Sequence, residues 1–295
     1  MGNMLDIKKG IIDVVLDTDT YNEIDDQFAL AYMLRSKEKF NLKAVYAAPF
    51  FNDRSTSPKD GMEKSYAEID KIMRLTGESV VSFRGSDAFL TDEKTPVVSD
   101  AVKDLIERSK EYSSEDPLYV VAIGAITNIA SALILDGTLK NRIYVVWLGG
   151  HAHDYKDTAE FNMKQDVAAA RVVMSSGVPF VQLPCMGVVS DFEFSKSEIA
   201  SWRKAGNPLC EYLVDNTLAF CSEWSSWRKV IWDVVAVAYL LDGEERGFVK
   251  TKTIPVRLPS YMNIYEDSID GTEIKYVCGL DKEKIFEDMA NKILR

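Results

Sequence analysis

Histidine and cysteine are scarce in this chain of 295 residues, which has two histidines and four cysteines. The cysteines form no Cys-x-x-Cys pair and are scattered at Cys185, Cys210, Cys221 and Cys278. This usage is typical of reduced, mostly buried thiols in a cytoplasmic protein. No apolar run approaches transmembrane length, and the opening MGNMLDIKKG lacks the apolar core of a signal peptide. We therefore expect a cytoplasmic protein that does not insert into a membrane.

Basic residues are also in deficit, with 35 Lys and Arg against 46 Asp and Glu, a net charge of −11. That balance opposes non-specific binding to nucleic acid or to anionic membranes. With 46% hydrophobic residues, the protein can bury a sizeable core. No Pro/Ser-rich linker, repeat or low-complexity segment divides it, so we expect one domain over residues 1–295.

Four aspartates close together dominate the first thirty residues. The apolar, β-branched run over 11–16 predicts a buried strand, and a helical apolar period begins at Asp26. Between them lie Asp17, Asp19, Asp25 and Asp26. Like charges at such spacing repel, and a hard cation such as Ca²⁺ or Mg²⁺ resolves the conflict. The alternative is that two acids favour the helix N-terminus and two solvate a turn.

Strands and helices alternate along most of the sequence. Further strands are predicted over 42–47, 80–83, 118–123, 143–148 and 180–183, and helices over 58–75, 97–110, 127–135 and 166–176. This order predicts an α/β fold with an open, mostly parallel, doubly wound sheet. The C-terminal third differs: 195–227 is helical and aromatic-rich, 232–241 is an apolar helix, 253–258 and 273–278 form a hairpin, and 281–294 is a final helix.

Polar residues at the predicted strand ends match the motifs of a known family in order. The family motif D-x-D-P-G-x-D-D corresponds here to Asp17 through Asp26, E-F-N to 160–162, and the strand-T-G-x-L-T-N-I-A segment to VVAIGAITNIA at 120–130. An Asp before an apolar run corresponds to Asp233 in WDVVAVA. On these motifs the protein resembles the inosine-uridine-preferring nucleoside hydrolases.

The resemblance implies hydrolysis of the N-glycosidic bond of a ribonucleoside to ribose and free base, through an oxocarbenium-like state. It implies Ca²⁺ held by Asp19, Asp26, the main-chain carbonyl of Ile123, and Asp233. Ribose hydroxyls would contact Asp25, Asn52, Glu160 and Asn162. Asp19 would accept the proton of the attacking water, and Asp17 would orient its neighbours. A homo-oligomer is also expected.

The sequence differs from the family at the base-binding end. Thr20-Tyr21-Asn22-Glu23 replaces Pro-Gly, and the loop over 84–96 is shorter than the usual base-covering loop. Trp232 stands at the position where many pyrimidine-cleaving members have a His and where purine-specific members have a Trp. It therefore either stacks on a base or belongs to the core. His151 and His153 either protonate the leaving group or lie in a solvated loop.

Two other functions fit parts of the pattern. Asp17-Thr18-Asp19-Thr20 after a strand also matches the first motif of haloacid-dehalogenase-like phosphatases, with Asp17 as nucleophile. A relative that binds a ribosyl group without turnover is the second alternative. For a hydrolase we expect purine nucleosides to be preferred, because stacking grows with ring area. Phosphorylated nucleotides are expected to be poor substrates, because the acidic edge repels them.

Overall fold

The central element is an eight-stranded sheet whose strands lie in the order β3 (Ser82–Arg84), β2 (Phe40–Ala47), β1 (Ile12–Thr18), β4 (Leu118–Ala122), β5 (Ile143–Leu148), β6 (Phe180–Leu183), β10 (Tyr265–Leu280) and β9 (Val249–Pro259). The computed structural model describes residues 6–222 and 227–295. All neighbouring strands in this sheet pair in parallel except β9, which is antiparallel to β10. The predicted open, mostly parallel sheet is confirmed.

A two-stranded antiparallel sheet pairs β7 (Glu193–Ser195) with β8 (Arg228–Val230). The helices are α1 (Asp25–Leu34), α2 (Pro58–Thr76), α3 (Asp100–Ser109), α4 (Thr127–Leu135), α5 (Phe161–Gln165), α6 (Val167–Ser175), α7 (Lys196–Ser201), α8 (Pro208–Phe220), α9 (Val234–Leu240) and α10 (Lys282–Ile293).

Both faces of the sheet are covered, which explains the apolar character of its strands. One core contains side chains of α1, α2, α8, α9 and α10, and the other contains side chains of α3, α4 and α6. Strands β4 and β5 are buried along their whole length. Parallel strands covered on both faces have continuous apolar sequences rather than alternating ones. Within the described ranges, no helix combines the length and apolar character needed to cross a membrane.

Capping residues set several boundaries. Ser57 caps α2, Pro58 occupies its first turn, and the helix ends at Gly77, whose φ of 71° favours glycine. The third helix begins at Asp100 and not at residue 97, because the Ser99 side chain accepts from the N–H of Val102.

The helical prediction for 195–227 is only partly right. Strand β7 ends at Ser195, and α7 follows it. A single 3-10 turn then covers Trp202–Ala205, and α8 runs from Pro208 to Phe220. Residues 223–226, including the predicted aromatic Trp224, lie outside the described residues. Gly206 and Pro208 separate the two helices, because Gly206 adopts a φ of 66° and Pro208 opens α8. The predicted terminal hairpin and final helix are present.

Candidate active site

Three buried carboxylates meet where α1 packs against α9. Asp25 and Asp26 form the first turn of α1, and Asp233 precedes the first residue of α9. One oxygen from each lies within 4.8 Å of the others, and all three residues are buried. The cluster therefore includes Asp25, which the sequence resemblance assigned to ribose and not to the metal.

Asp19 adds two further buried oxygens next to this cluster. Neither of its carboxylate oxygens has a hydrogen-bond partner, and Oδ2 of Asp26 also has none among the described residues. A Cβ at Gly124 would lie 3.0 Å from Oδ1 of Asp19, so the absence of a side chain there admits the carboxylate. Buried oxygens without donors are rare and demand a partner. A hard divalent cation fits this set of ligand oxygens.

Burial dominates the electrostatics of the cluster. It raises the pKa of Asp19 and of Asp233 well above the ordinary value, and the neighbouring carboxylates raise both further. Burial also raises the pKa of Asp26 to about 7, although the hydroxyl of Thr18, which donates at 2.5 Å, opposes the shift. Four ionised carboxylates at this site would need a positive charge among them.

Asp17 lies at the end of β1, and a hydrogen bond from Asn128 holds its carboxylate. Its Oδ1 accepts from the side-chain amide of Asn128 at 2.7 Å, and Asn128 in turn accepts from the main-chain N–H and the hydroxyl of Ser86. Burial raises the pKa of Asp17 to about 7, and the Asn128 hydrogen bond lowers it. Asp17 does not line the cavity. The orienting role of Asp17 stays a prediction.

A cavity of about 470 Å³ opens above the cluster. Of the residues proposed from sequence, its wall contains Asp25, Asn52, Ile123, Glu160, Asn162, Trp232 and Asp233. Asp19 and Asp26 are buried and do not form part of the wall. The structure thus brings the predicted substrate-binding residues together on one cavity.

The wall next to β4 and β5 is organised by Asn162. Its side-chain amide donates to the main-chain carbonyls of Ile123 and Leu148, both at 3.0 Å. A carbonyl oxygen has two lone pairs, so that of Ile123 can accept from Asn162 and still face a cation. Asn162 therefore joins the ends of two strands as well as lining the cavity.

Glu160 is more constrained than its sequence motif indicates. Its Oε2 accepts from the main-chain N–H groups of Gly150 and Met163, and its Oε1 accepts from that of Asn162, all at 2.9 Å. The residue caps the N-terminus of α5. Burial raises its pKa, and these three hydrogen bonds oppose the shift. Glu160 shapes the loop after β5, and Oε1 keeps capacity for one further hydrogen bond.

The segment that replaces the Pro-Gly turn brings side chains to the cavity. Asn22 and Glu23 line it, whereas Tyr21 does not. The side-chain amide of Asn52 donates to Oδ1 of Asn22 at 2.7 Å, which fixes both amides. Glu23 pairs with Lys229 Nζ at 2.6 Å; the Lys229 side chain is buried, and that of Glu23 is 32% exposed. An insertion beside an acidic motif was the available signal for Asn22 and Glu23.

Trp232 lines the cavity and also packs against the core. Its stacking on a base stays a prediction. Its main-chain N–H donates to Oδ2 of Asp25 at 3.0 Å. Phe161 and Phe220 supply further aromatic wall. Phe161 was not predicted from sequence to line the site, whereas Phe220 belongs to the aromatic-rich segment 202–227, which was expected to supply aromatic residues to the base end.

The two histidines lie in different surroundings. His151 lines the cavity, and burial lowers its pKa. His153 does not line it; its ring lies against Tyr265 and Tyr276, and its Nε2 is 3.1 Å from Oε1 of Gln182. Burial lowers the pKa of His153 to about 4. His153 is therefore a packed structural residue, and of the two only His151 can face a ligand.

The fold is a doubly wound sheet, and buried carboxylates lie at one end of its strands. Together they define an α/β protein with a candidate ligand-binding site, rich in acidic residues, at that end of the strands. The profile of a family described as inosine-uridine preferring nucleoside hydrolase matches residues 14–286. The protein therefore belongs to that family, as its motifs predicted.

Individual relatives differ in the substrates that their names state. The pyrimidine-specific ribonucleoside hydrolase RihB of Escherichia coli is 31% identical over 106 residues, which cover 35% of this chain and 34% of that protein. The match thus spans about a third of the length of that relative.

Solved structures share the fold over nearly the whole length. The purine-preferring ribonucleoside hydrolase from Gardnerella vaginalis superposes with a TM-score of 0.77 at 19% identity, covering 96% of this chain and 98% of that one. The type III effector protein XopQ, solved with adenosine diphosphate ribose, gives a TM-score of 0.72 at 17% identity, covering 99% and 95%. Family membership removes the support for a haloacid-dehalogenase-like phosphatase.

Proposed function

We propose that this protein hydrolyses the N-glycosidic bond of a ribonucleoside, releasing ribose and the free base. One observation carries the proposal. Buried carboxylate oxygens of Asp19 and Asp26 without hydrogen-bond donors lie beside the Asp25–Asp26–Asp233 cluster, at a cavity large enough for a small ligand. Membership of the nucleoside hydrolase family supports the reaction type.

Ca²⁺ is the proposed cofactor, with Asp19, Asp26, Asp233 and the carbonyl of Ile123 as its ligands. Hard carboxylate and carbonyl oxygens are what this ion prefers. Oxygens of Asp25 also lie within the cluster, so Asp25 either joins the ligand set or contacts the ribose. When bound, the ion would lower the pKa of a water and bind the ribose diol.

The protein's own residues then carry the reaction. Asp19 accepts the proton of the attacking water. Because neither of its carboxylate oxygens has a hydrogen-bond donor among the described residues, one would be free to bind the ion and the other to accept the proton. The surrounding carboxylates stabilise positive charge developing at C1′. Hydroxyls of the ribose contact Asp25, Asn52, Asn162 and the remaining lone pair on Oε1 of Glu160.

For the base we propose a purine, because the cavity wall offers Trp232, Phe161 and Phe220. Stacking on such rings grows with ring area and needs no fixed hydrogen-bond pattern. We assign protonation of the leaving base to His151, because it lines the cavity. Named relatives include both pyrimidine-specific and purine-preferring enzymes, so the preference rests on this wall alone.

A second candidate is ribosyl binding without turnover. The effector XopQ, which shares the fold, was solved with adenosine diphosphate ribose. The lowered pKa of His151 also favours this candidate, since less of the imidazole is protonated at neutral pH and able to donate a proton to a leaving base. A single domain over residues 1–295, a homo-oligomer and a cytoplasmic location stay predictions.

Chromatography of inosine and uridine after incubation with the protein and Ca²⁺ separates these functions. Release of free base supports hydrolysis. Saturable ribosyl binding in calorimetry without release of base supports the binding protein. Phosphate release from a phosphomonoester would support the phosphatase alternative and contradict the proposal.

A further inference from the structure

Arg54 is a cation on the cavity wall that no carboxylate neutralises in the part of the chain that the structure describes. Among residues 6–222 and 227–295 it makes no ion pair within 4.0 Å. Its guanidinium lies 4.3 Å from the ring centre of Tyr21 and 5.6 Å from that of Phe220, and its Nη1 donates to the carbonyl of Glu23 at 3.3 Å. Aromatic rings hold the side chain in place while leaving most of its N–H donors unused.

Most acidic side chains of the cavity wall are compensated by partners other than Arg54. Lys229 holds Glu23 at 2.6 Å, and three main-chain N–H groups hold the carboxylate of Glu160. The buried aspartate cluster is the proposed cation site. Asp53 is the remaining acid of the wall, and it is exposed to solvent, where water screens it. Arg54 therefore contributes positive potential to a cavity that is otherwise acidic.

A second hydrogen-bond donor belongs to the same wall. Asn22 receives the amide of Asn52 on its oxygen, so its own amide nitrogen is oriented away from that bond. Nδ2 of Asn22 donates to no acceptor in the part of the protein that the structure describes. A guanidinium and an amide N–H together suit the oxygens of a phosphate, which accept strong charge-assisted hydrogen bonds.

We propose that Arg54, with Asn22, recognises a phosphate group on the ribosyl substrate, so that a nucleoside monophosphate is bound better than the nucleoside. This inference rests on the proposed ribosyl site and names the substrate class for it. It departs from the expectation that phosphorylated nucleotides are poor substrates, because that expectation used the overall acidity and not the local environment of Arg54. Phosphate recognition here needs no Gly-rich segment, since side chains supply the donors.

Calorimetry with ribose 5-phosphate and ribose, in Ca²⁺, tests this subsite without requiring turnover. The parent protein should bind ribose 5-phosphate at least about ten-fold more tightly than ribose, as expected for a charge-assisted contact. Arg54→Ala should remove most of that difference, and Arg54→Lys should retain part of it. Arg74→Ala, an exposed arginine at the end of α2, is the matched control and should leave the ratio unchanged.

Hydrolysis of inosine and inosine 5′-monophosphate gives an independent result. Arg54→Ala should lower kcat/KM for the monophosphate about ten-fold more than for inosine. Equal losses, or a parent that binds free phosphate as tightly as ribose 5-phosphate, would overturn the inference while leaving nucleoside hydrolysis intact. If no base is released from either compound but Arg54-dependent binding of ribose 5-phosphate persists, the hydrolase proposal fails and this subsite stands.

Discussion

The side-chain amide of Asn162 donates to the main-chain carbonyl of Ile123 at 3.0 Å, and that carbonyl is a proposed metal ligand. The same amide donates to the carbonyl of Leu148. Asn162 thus fixes the ends of β4 and β5 relative to each other and holds the carbonyl of Ile123, a residue of the cavity wall. Partners that orient ligands in this way often matter as much as the ligands themselves.

Asn162→Ala should destabilise the protein and weaken Ca²⁺ binding together. It leaves two buried carbonyls without a donor, at a cost of about 1–3 kcal/mol in the free energy of unfolding. Urea denaturation measures the first effect and calorimetry the second. A variant that loses stability but binds Ca²⁺ as well as the parent would show that the Ile123 carbonyl is not a ligand.

Asp26→Asn should abolish Ca²⁺ binding, because Asp26 is central to the carboxylate cluster and one of its oxygens has no other partner. Calorimetry measures the Ca²⁺ affinity directly. In this variant, added Ca²⁺ should also no longer raise the melting temperature. Asp100→Asn is the control, since this acid lies exposed in the first turn of α3. Undiminished Ca²⁺ affinity in the Asp26 variant would remove Asp26 from the site.

Asp19→Asn should lower kcat by about a hundred-fold or more, as expected when a general base is lost. The amide preserves the shape of the side chain, and the carboxylate makes no hydrogen bond that folding depends on. The melting temperature without Ca²⁺ should therefore not fall. Stopped assays with inosine measure kcat, and retention of most of the parent activity would exclude Asp19 as the base.

The sequence predicted this cluster because its members are strong local signals. Asp17 and Asp19 lie at the end of one strand, where an α/β sheet binds ligands, and Asp25 and Asp26 open the helix that follows. Arg54 and Lys229 could not be predicted, since each is an ordinary surface residue in sequence. Only the packing of β8 beside the first loop brings Lys229 to Glu23. The order of α7, the 3-10 turn and α8 was missed because apolar helical spacing alone does not reveal interruptions.

Trp232→Ala should reduce the ratio of inosine to uridine hydrolysis. Removing the indole deletes stacking area that a two-ring base uses more fully than a single ring, by an expected few-fold to roughly ten-fold. Initial rates at subsaturating substrate give the ratio. Tyr261→Ala, an aromatic 60% exposed on the β9–β10 turn, should not change it. An unchanged ratio for the Trp232 variant would assign that residue to the core alone.

His153 should make the stability of the protein depend on pH in a defined direction. Its pKa in the folded state, about 4, lies below the ordinary value of 6.5 because of burial. The unfolded protein therefore binds this proton first, so the stabilising contribution is present above pH 6.5 and is lost as the pH falls toward 4.

The His153→Gln variant isolates that contribution. The difference in unfolding free energy between the parent and this variant, measured by urea at fixed Ca²⁺, should shrink as the pH falls from 6.5 to 4. Taking the difference cancels the carboxylates, whose raised pKa values act in the opposite direction. A difference that stays constant over this range would contradict the lowered pKa of His153.

Cleavage of a ribonucleoside by the acidic cluster should depend on a bound divalent cation. The most direct measurement follows hypoxanthine release from inosine by protein stripped with a chelator, before and after Ca²⁺ is restored, with the Asp19→Asn variant in parallel. We expect equal amounts of hypoxanthine and ribose from the parent protein only when Ca²⁺ is present. Release that persists without any divalent cation, or parent activity no higher than that of the Asp19→Asn variant, would contradict the proposed mechanism.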